Sequence, residues 1–411
     1  MTQTKKKKII LYLVNSFLDP VIESNVMLYI REAAKSGDYQ FTVVSYEQES
    51  FRLSPEEQTA KKEELAKNNV FWEPLDWSLK KPKLRAKFID LLSALSTLRK
   101  LKKSGHQYMI TLNSVAASYG YIFSKIFGFK LYPYQYEPHS EYGRDAGLWT
   151  ESSLSFKVLS WLEKKAAMRA TVISSGTDYM KNRLLEWKTP AKFFKIASVV
   201  NDTFFDFSES NRLSIRKKLN LSADKKVILY AGKFGDLYYT EEVGTLFKTI
   251  YDNIENVYFL VLTLNDIDEI SEMFKKAGIP DDLITVTRST YQEMPGYLST
   301  ADLGVVAVPP VPSKIFCSNI KVGEYLATGL PYLICKGVSE DDRFADEQRV
   351  GISVKDFETT SITPFINDIN TYLNTPRIEL AKRCRQACIN YRGFNMLNGR
   401  FQEALRTLTS D

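Results

Sequence analysis

The sequence predicts an α/β protein built from two doubly wound domains, and three observations carry that expectation. Runs at 227–232 (Val-Ile-Leu-Tyr-Ala-Gly), 257–262 (Val-Tyr-Phe-Leu-Val-Leu) and 303–308 (Leu-Gly-Val-Val-Ala-Val) are apolar on both faces. Strands of that kind belong in the middle of a parallel sheet covered by helices. Short apolar runs alternate with amphipathic stretches almost throughout, and repeated βα units wind such a sheet. The alternation also restarts after a polar, charged stretch at 201–226. The 411 residues exceed one ordinary domain of roughly 150 residues.

In the first series, strands are expected at 9–14, 41–45, 108–111, 130–136 and 171–174, with helices at 25–34, 87–101, 114–127 and 155–168 between them. The run at 227–231 opens the second series as 9–14 opens the first. Rossmann-like domains are therefore expected over 1–197 and 198–390, with the boundary near 195–205 and a final helix within 391–411 returning to the first domain. Ligands of open α/β sheets bind beyond the carboxyl ends of the strands. Two domains facing each other would leave a cleft there.

Composition narrows the class. Hydrophobic residues at 44% and charged residues at 25% exclude a mostly disordered chain. A net charge of +6 is too small to argue for nucleic acid, and no nucleic-acid partner is expected. The charge is uneven, however. Residues 80–103 hold nine basic side chains (Lys80, Lys81, Lys83, Arg85, Lys87, Arg99, Lys100, Lys102 and Lys103) against Asp90, a local +8. They surround Phe88, Leu91, Leu92, Leu95 and Leu98, a spacing that usually marks a core face. With Trp72 and Trp77 just upstream, the excess suits an anionic membrane surface, RNA being the competing anion.

Cys317, Cys335, Cys384 and Cys388 make no disulfide framework and suit a reducing compartment. Cys384 and Cys388, at i, i+4 with no histidine nearby, read as small buried residues. Lysines at 5–8 precede too short an apolar run for a leader, and no stretch approaches the ~18 apolar residues of a membrane span. The expected location is cytoplasmic, either free or peripheral on the inner face of the membrane.

The segment from Cys317 to Pro331 is the most informative. Ser318 reads as an N-cap, Gly329 as the residue after the last turn and Pro331 as a block, which predicts a helix over 319–328. Lys321 falls in the first turn, where the macrodipole disfavours cations. Gly323 falls mid-helix, at a cost of about 1 kcal/mol. Both fit a helix N-terminus that faces a phosphate, with Lys321 adding charge, Gly323 permitting close approach and Glu324 accepting hydrogen bonds from a neighbouring ribose. An amphipathic helix with exposed Lys and Glu accounts for the same residues, and both readings stay open.

Gly232-Lys233-Phe234-Gly235 places a lysine just past the strand at 227–231, where it meets a diphosphate or is an ordinary loop residue. The G-x-x-x-x-G-K-[ST] spacing of a P-loop is absent. Of two histidines, His106 reads as a surface turn residue. His139 follows the strand at 130–136, in a cleft position or as a loop histidine bonded to Glu137 or Glu141. Glu340-Asp341-Asp342 reads as a solvated loop, and no metal site is expected.

Four stretches, in order, resemble the donor domain of the retaining glycosyltransferases of family four, which have the GT-B fold. They are Val199-Val200-Asn201-Asp202-Thr203-Phe204-Phe205, Leu229-Tyr230-Ala231-Gly232-Lys233, the stretch from Met294 to Leu303, and Ser318-x-x-Lys321-x-x-Glu324-Tyr325-Leu326-Ala327-x-Gly329-x-Pro331. The likeness covers about 195–355. It implies a UDP- or GDP-linked sugar as donor substrate, with no further cofactor. It places Gly232 and Lys233 on the diphosphate, Glu324 on the ribose, Ser318, Asn319, Ile320 and Lys321 in the phosphate pocket, and the backbone around Arg288 on the nucleobase. Catalytic roles fall to His139, beside the reacting sugar, and to Lys233 and Lys321. Asn15 and Ser16 stand where many relatives use glycine amides near the donor phosphate.

The implied acceptor is a glycan or lipid-linked glycan in surface polysaccharide or glycolipid synthesis. Two positions depart from the pattern. Phe316 stands where many members carry a second Glu, and no basic residue follows Lys233 within 234–240. A non-catalytic GT-B-like binding or assembly partner, or a nucleotide-sugar epimerase, therefore remains an alternative.

Overall fold

The computed structural model describes residues 6–77, 83–135 and 137–410, with backbone alone at 83–88. The chain divides into two compact units, Met1–Ile196 with Leu397–Asp411, and Ala197–Met396.

The first unit is a parallel sheet of β1 (Lys7–Tyr12), β2 (Tyr39–Glu47), β3 (Val70–Asp76), β4 (Tyr108–Leu112), β5 (Lys130–Gln135), β6 (Val172–Ser175) and β7 (Lys192–Lys195), in the order β3-β2-β1-β4-β5-β6-β7. Ile9 pairs with Phe41 on one side and Tyr108 on the other, so β1 is an interior strand with Ile9, Ile10 and Leu11 sealed from solvent. The five expected strands are present, and β3 and β7 are additional. In β3, Val70, Trp72 and Leu75 are buried while Phe71 is exposed, a one-sided pattern far weaker than the continuous apolar run of a central strand. Helix Pro55–Ala66 also lacks an apolar stripe. Its start is fixed by a capping box in which Ser54 and Glu57 exchange side-chain bonds to backbone N–H groups.

Two expectations about this unit are corrected. His106 is buried, with Nε2 3.0 Å from Thr42 Oγ1 and Nδ1 2.9 Å from the Leu101 carbonyl oxygen. The turn at Gly105 folds the ring inward, and burial lowers its pKa. The tryptophans upstream of the basic stretch are not offered to a membrane either. Trp72 is buried and its Nε1 donates to Ser45 Oγ at 2.8 Å, while Trp77 packs edge-on against Tyr46. Helix Lys83–Lys103 turns Ala94 and Leu98 into the core beside Met109, leaving Leu92 exposed. Lys80, Lys81, Tyr136 and the side chains of Lys83, Arg85, Lys87 and Phe88 lie outside the described residues.

The last helix, Phe394–Thr409, contributes its residues from Leu397 onward to the first unit. There Phe401 stacks on Tyr29 at 4.9 Å and Glu403 accepts from Lys192 at 3.0 Å. Among the described residues no helix is long and apolar enough to cross a membrane.

The second unit is a parallel sheet of β8 (Lys226–Ala231), β9 (Val257–Leu262), β10 (Ile284–Thr287), β11 (Leu303–Val306), β12 (Tyr332–Cys335) and β13 (Gly351–Val354), ordered β10-β9-β8-β11-β12-β13. The expected two-faced strands β8, β9 and β11 lie side by side at its centre. The chain leaves β8 toward β9 on one side and returns as β11 on the other. That is a switch point, beyond whose carboxyl ends open α/β sheets bind their ligands. The four cysteines are free and buried.

Candidate functional site

At the carboxyl end of β8 the backbone reaches Gly232. A Cβ there would lie 2.7 Å from the Tyr230 hydroxyl, which donates to the Lys233 carbonyl, so any larger residue has to displace that hydroxyl. Lys233 is half-exposed. Its Nζ lies 2.6 Å from Asp236 Oδ2 and 5.3 Å from the centre of the Tyr238 ring. The Lys233 hydrogen bond, with its charge, holds the Asp236 carboxyl below its usual range.

A second cation joins this loop. Lys314 is buried in the one-turn helix Pro312–Phe316, and its Nζ lies 6.0 Å from the centre of the same Tyr238 ring. Two lysines over one aromatic ring supply positive charge where the sequence offers no basic residue after Lys233. Sequence reasoning missed Lys314. The available signal was a lysine in a Pro-initiated turn just before the 317–331 motif.

Helix Ile320–Ala327 fixes the next part of the site. Its N-cap is Asn319, not Ser318 as expected. Ser318 Oγ instead accepts from the Ser198 N–H at 2.8 Å and from Arg392 Nη1, while the Ser318 carbonyl accepts from Ser198 Oγ at 2.7 Å. The serine thus anchors the approach to the helix. Asn319 makes no side-chain capping bond, and its Nδ2 is shut off from solvent without a partner among the described residues. Ile320 is the first helical residue.

Lys321 and Glu324 stand one turn apart and are joined, Nζ to Oε2, at 2.8 Å, with the Glu324 side chain 7% exposed. The first-turn cation that the dipole disfavours is therefore held by a buried carboxylate on its own helix. Gly323 serves packing and not ligand approach, which corrects the expectation. A Cβ there would lie 3.3 Å from Val200 Cβ, on the interior side of the helix.

Tyr325 ties this helix to the switch point. Its hydroxyl accepts from the Ala231 N–H and donates to the Val305 carbonyl, each at 3.2 Å, so it bridges the ends of β8 and β11. In the loop after β10, Tyr291 is 42% exposed, and partial burial with the Glu324 charge pushes its pKa up to about 12. Tyr291 stacks on Phe204 at 4.9 Å. Arg288 lies just past β10 and is exposed.

The acidic run at 340–342 is buried and internally partnered, again correcting the expectation. Arg392 and Asp341 form an ion pair with both side chains sealed from solvent, and Tyr391 donates to Asp341 Oδ1 at 3.0 Å. Asp342 Oδ2 accepts from the Gly337 N–H at 2.7 Å. A charge removed from water needs partners of this kind. Asp302 works at the opposite end of the sheet, accepting from Arg212, Arg216 and the Val227 N–H.

In the first unit, the loop after β1 carries Asn15 and Ser16. Asn15 donates to Asp19 at 3.2 Å. Ser16 turns inward, donating to the Tyr46 carbonyl and accepting from the Gln48 N–H at 2.7 Å. His139 opens helix His139–Asp145, and its N–H donates to Ser114 Oγ at 2.9 Å. Its ring stacks on Tyr142 at 5.6 Å and meets Trp149 edge-on at 6.1 Å. Glu141, considered as its partner, pairs instead with Arg183 at 2.6 Å.

The two sheets and their strand orders are those of the GT-B fold, and comparison with solved structures places the chain among GT-B neighbours. It is similar to HepE from Anabaena, solved in complex with UDP, at 12% identity over 98% of this chain and 100% of HepE, with a TM-score of 0.69. It is also similar to sucrose-phosphate synthase from Thermosynechococcus elongatus, at 15% identity over 98% and 99% of the two chains and a TM-score of 0.73. The third is WaaG, a glycosyltransferase involved in lipopolysaccharide biosynthesis, at 12% identity over 98% and 100% and a TM-score of 0.65. No family model matches the chain, and no curated protein matches it by sequence.

Proposed function

We propose that the chain is a retaining, nucleotide-sugar-dependent glycosyltransferase resembling family four, acting on a glycan or lipid-linked acceptor in surface polysaccharide or glycolipid synthesis. The observation that carries this is the carboxyl edge of the second sheet. There Lys233 and Lys314 share the Tyr238 ring after β8, and helix Ile320–Ala327 carries Lys321 in its first turn, joined to the buried carboxylate of Glu324. An anion with a hydroxyl-rich neighbour, as a nucleoside diphosphate presents, suits that edge. HepE has been solved with UDP, with UDP-glucose and with UDP and glucose, which supports a UDP-linked donor, and a GDP-linked donor meets the same groups.

In this scheme the lysines and helix dipole stabilise charge that grows on the departing diphosphate, Glu324 accepts from the ribose, and His139 contacts the reacting sugar. The chain acts in the cytoplasm at the inner face of the membrane. A second reading, a non-catalytic GT-B-like binding partner, is favoured by Phe316, which is buried in the unit where many family members carry an acid.

The test is incubation with UDP- and GDP-sugars and a glycan acceptor, with the products followed by NMR. Transfer with the donor's anomeric configuration preserved supports the proposal. Donor binding without turnover supports the binding partner, and interconversion of donor epimers supports an epimerase.

A further inference from the structure

Helix Leu154–Arg169 in the first unit carries an apolar stripe on its solvent side. Leu154 is 76% exposed, Trp161 52%, Val158 45% and Met168 41%. The spacings of four, three and seven keep these residues on one face. Lys157, Lys164 and Arg169 are exposed on the shoulders of the stripe, and the exposed Lys165 falls within it, its Nζ 5.7 Å from the centre of the Trp161 indole. Leu148, in the turn leading to the helix, is 64% exposed.

The helix has one acidic residue, and it points inward. Glu163 is buried and accepts from the Ser140 N–H at 3.1 Å and from Ser140 Oγ at 2.5 Å. The opposite face of the helix is therefore already fastened to the helix that His139 opens. Just upstream, Glu151 is paired with Arg144. The outward face is thus largely apolar, with Lys165 within it and Lys157, Lys164 and Arg169 at its edges.

We infer that this face docks on an anionic lipid surface. An exposed Leu-Val-Trp-Met stripe flanked by basic side chains is the pattern of a helix lying in a membrane interface, with the apolar residues among acyl chains, the indole at the boundary and the long basic side chains, Lys165 included, reaching up to the head groups. A second copy of the chain fits poorly, because pairing two such faces brings like charges together. The site is distinct from residues 80–103, where the described apolar face is largely turned into the core.

Co-sedimentation tests this, using vesicles of phosphatidylcholine alone and of equal parts phosphatidylglycerol and phosphatidylcholine. The chain should bind the anionic vesicles and not the neutral ones. Leu154→Ser, Val158→Ser and Trp161→Ser together should weaken binding at least about tenfold. Lys157→Ser, Lys164→Ser and Lys165→Ser together should weaken it about a hundredfold, at roughly fivefold for each basic residue. All six positions are exposed, and unchanged melting of each variant confirms that it folds. No binding to anionic vesicles, or full binding by either variant, overturns the inference. So does light scattering that shows a dimer which the apolar variant splits while vesicles bind neither form, since the face is then a contact between copies. Retained binding by the apolar variant together with capture of an acidic protein through the lysines likewise overturns it.

Discussion

Replacing Lys321 with alanine separates the contributions at the head of helix Ile320–Ala327. From the sequence, the substitution should leave the apo protein as stable as before or stabilise it by about 0.3–1 kcal/mol, because it removes a cation from the first turn. The structure reverses the sign. Lys321 is joined to Glu324 at 2.8 Å, and the glutamate side chain is only 7% exposed. Removing one partner of a fully buried ion pair costs ~3–5 kcal/mol. The lysine end here is 35% exposed, so solvent screening and rehydration reduce that loss to about 1–2 kcal/mol.

Relief from the dipole offsets part of this, leaving a net loss of about 1 kcal/mol. Urea unfolding of wild type, Lys321→Ala, Glu324→Gln and the double variant measures the loss and the coupling between the two side chains. Unchanged or increased stability of the alanine variant, with no coupling, would show that the pair does not hold the charge in solution. If the variant is destabilised yet binds UDP and GDP as the wild type does, Lys321 is structural and the phosphate-pocket proposal for this helix is wrong.

Four further outcomes are expected. Lys233→Ala should lower kcat of transfer by about 10²-fold or more with little effect on unfolding, and Lys314→Met should do the same if the two lysines share the diphosphate; an effect confined to KM contradicts a role in the transition state. Gly329→Ala should destabilise the second unit by at least about 2 kcal/mol in urea, since that residue has φ +70° and a Cβ there would lie 2.4 Å from Ala381 Cα. Arg392→Met should cost on the order of 3–5 kcal/mol by leaving the Asp341 carboxylate buried without a counter-ion, and Arg392→Met with Asp341→Asn should recover part of it. His106 has a lowered pKa from burial, so the unfolded chain binds a proton first and stability falls as pH drops through the normal histidine range near 6.5. His106→Gln should remove that slope, at most about 1.4 kcal/mol per pH unit, in melts between pH 5 and 7.

The fold was legible wherever burial on both faces left a continuous apolar run. Residues 227–231, 257–262 and 303–306 form the centre of the second sheet because each has neighbours on both sides and helices above and below. Edge strands escaped, since β7 is only Lys-Phe-Phe-Lys with a single buried residue. The helix at 320–327 was readable from Gly329 and Pro331, which act locally. Ser318 was misread as its cap because the groups that claim its hydroxyl, Ser198 and Arg392, are 120 and 74 residues away. Separation in sequence also hid the Arg392–Asp341 pair, 51 residues apart, so a buried ion pair looked like a solvated acidic loop. Lys314 went unseen because nothing in its own neighbourhood shows that it shares the Tyr238 ring with Lys233.

Calorimetric titration of the apo chain with UDP and GDP, for wild type and Lys233→Ala, tests the diphosphate site most directly. One of the two nucleotides should bind wild type, the heat should weaken as salt is added, and Lys233→Ala should lower the affinity about tenfold or more by removing a charge from the diphosphate. Absence of binding by both nucleotides, or equal affinity of the two proteins, would contradict a donor diphosphate site at the carboxyl edge of the second sheet.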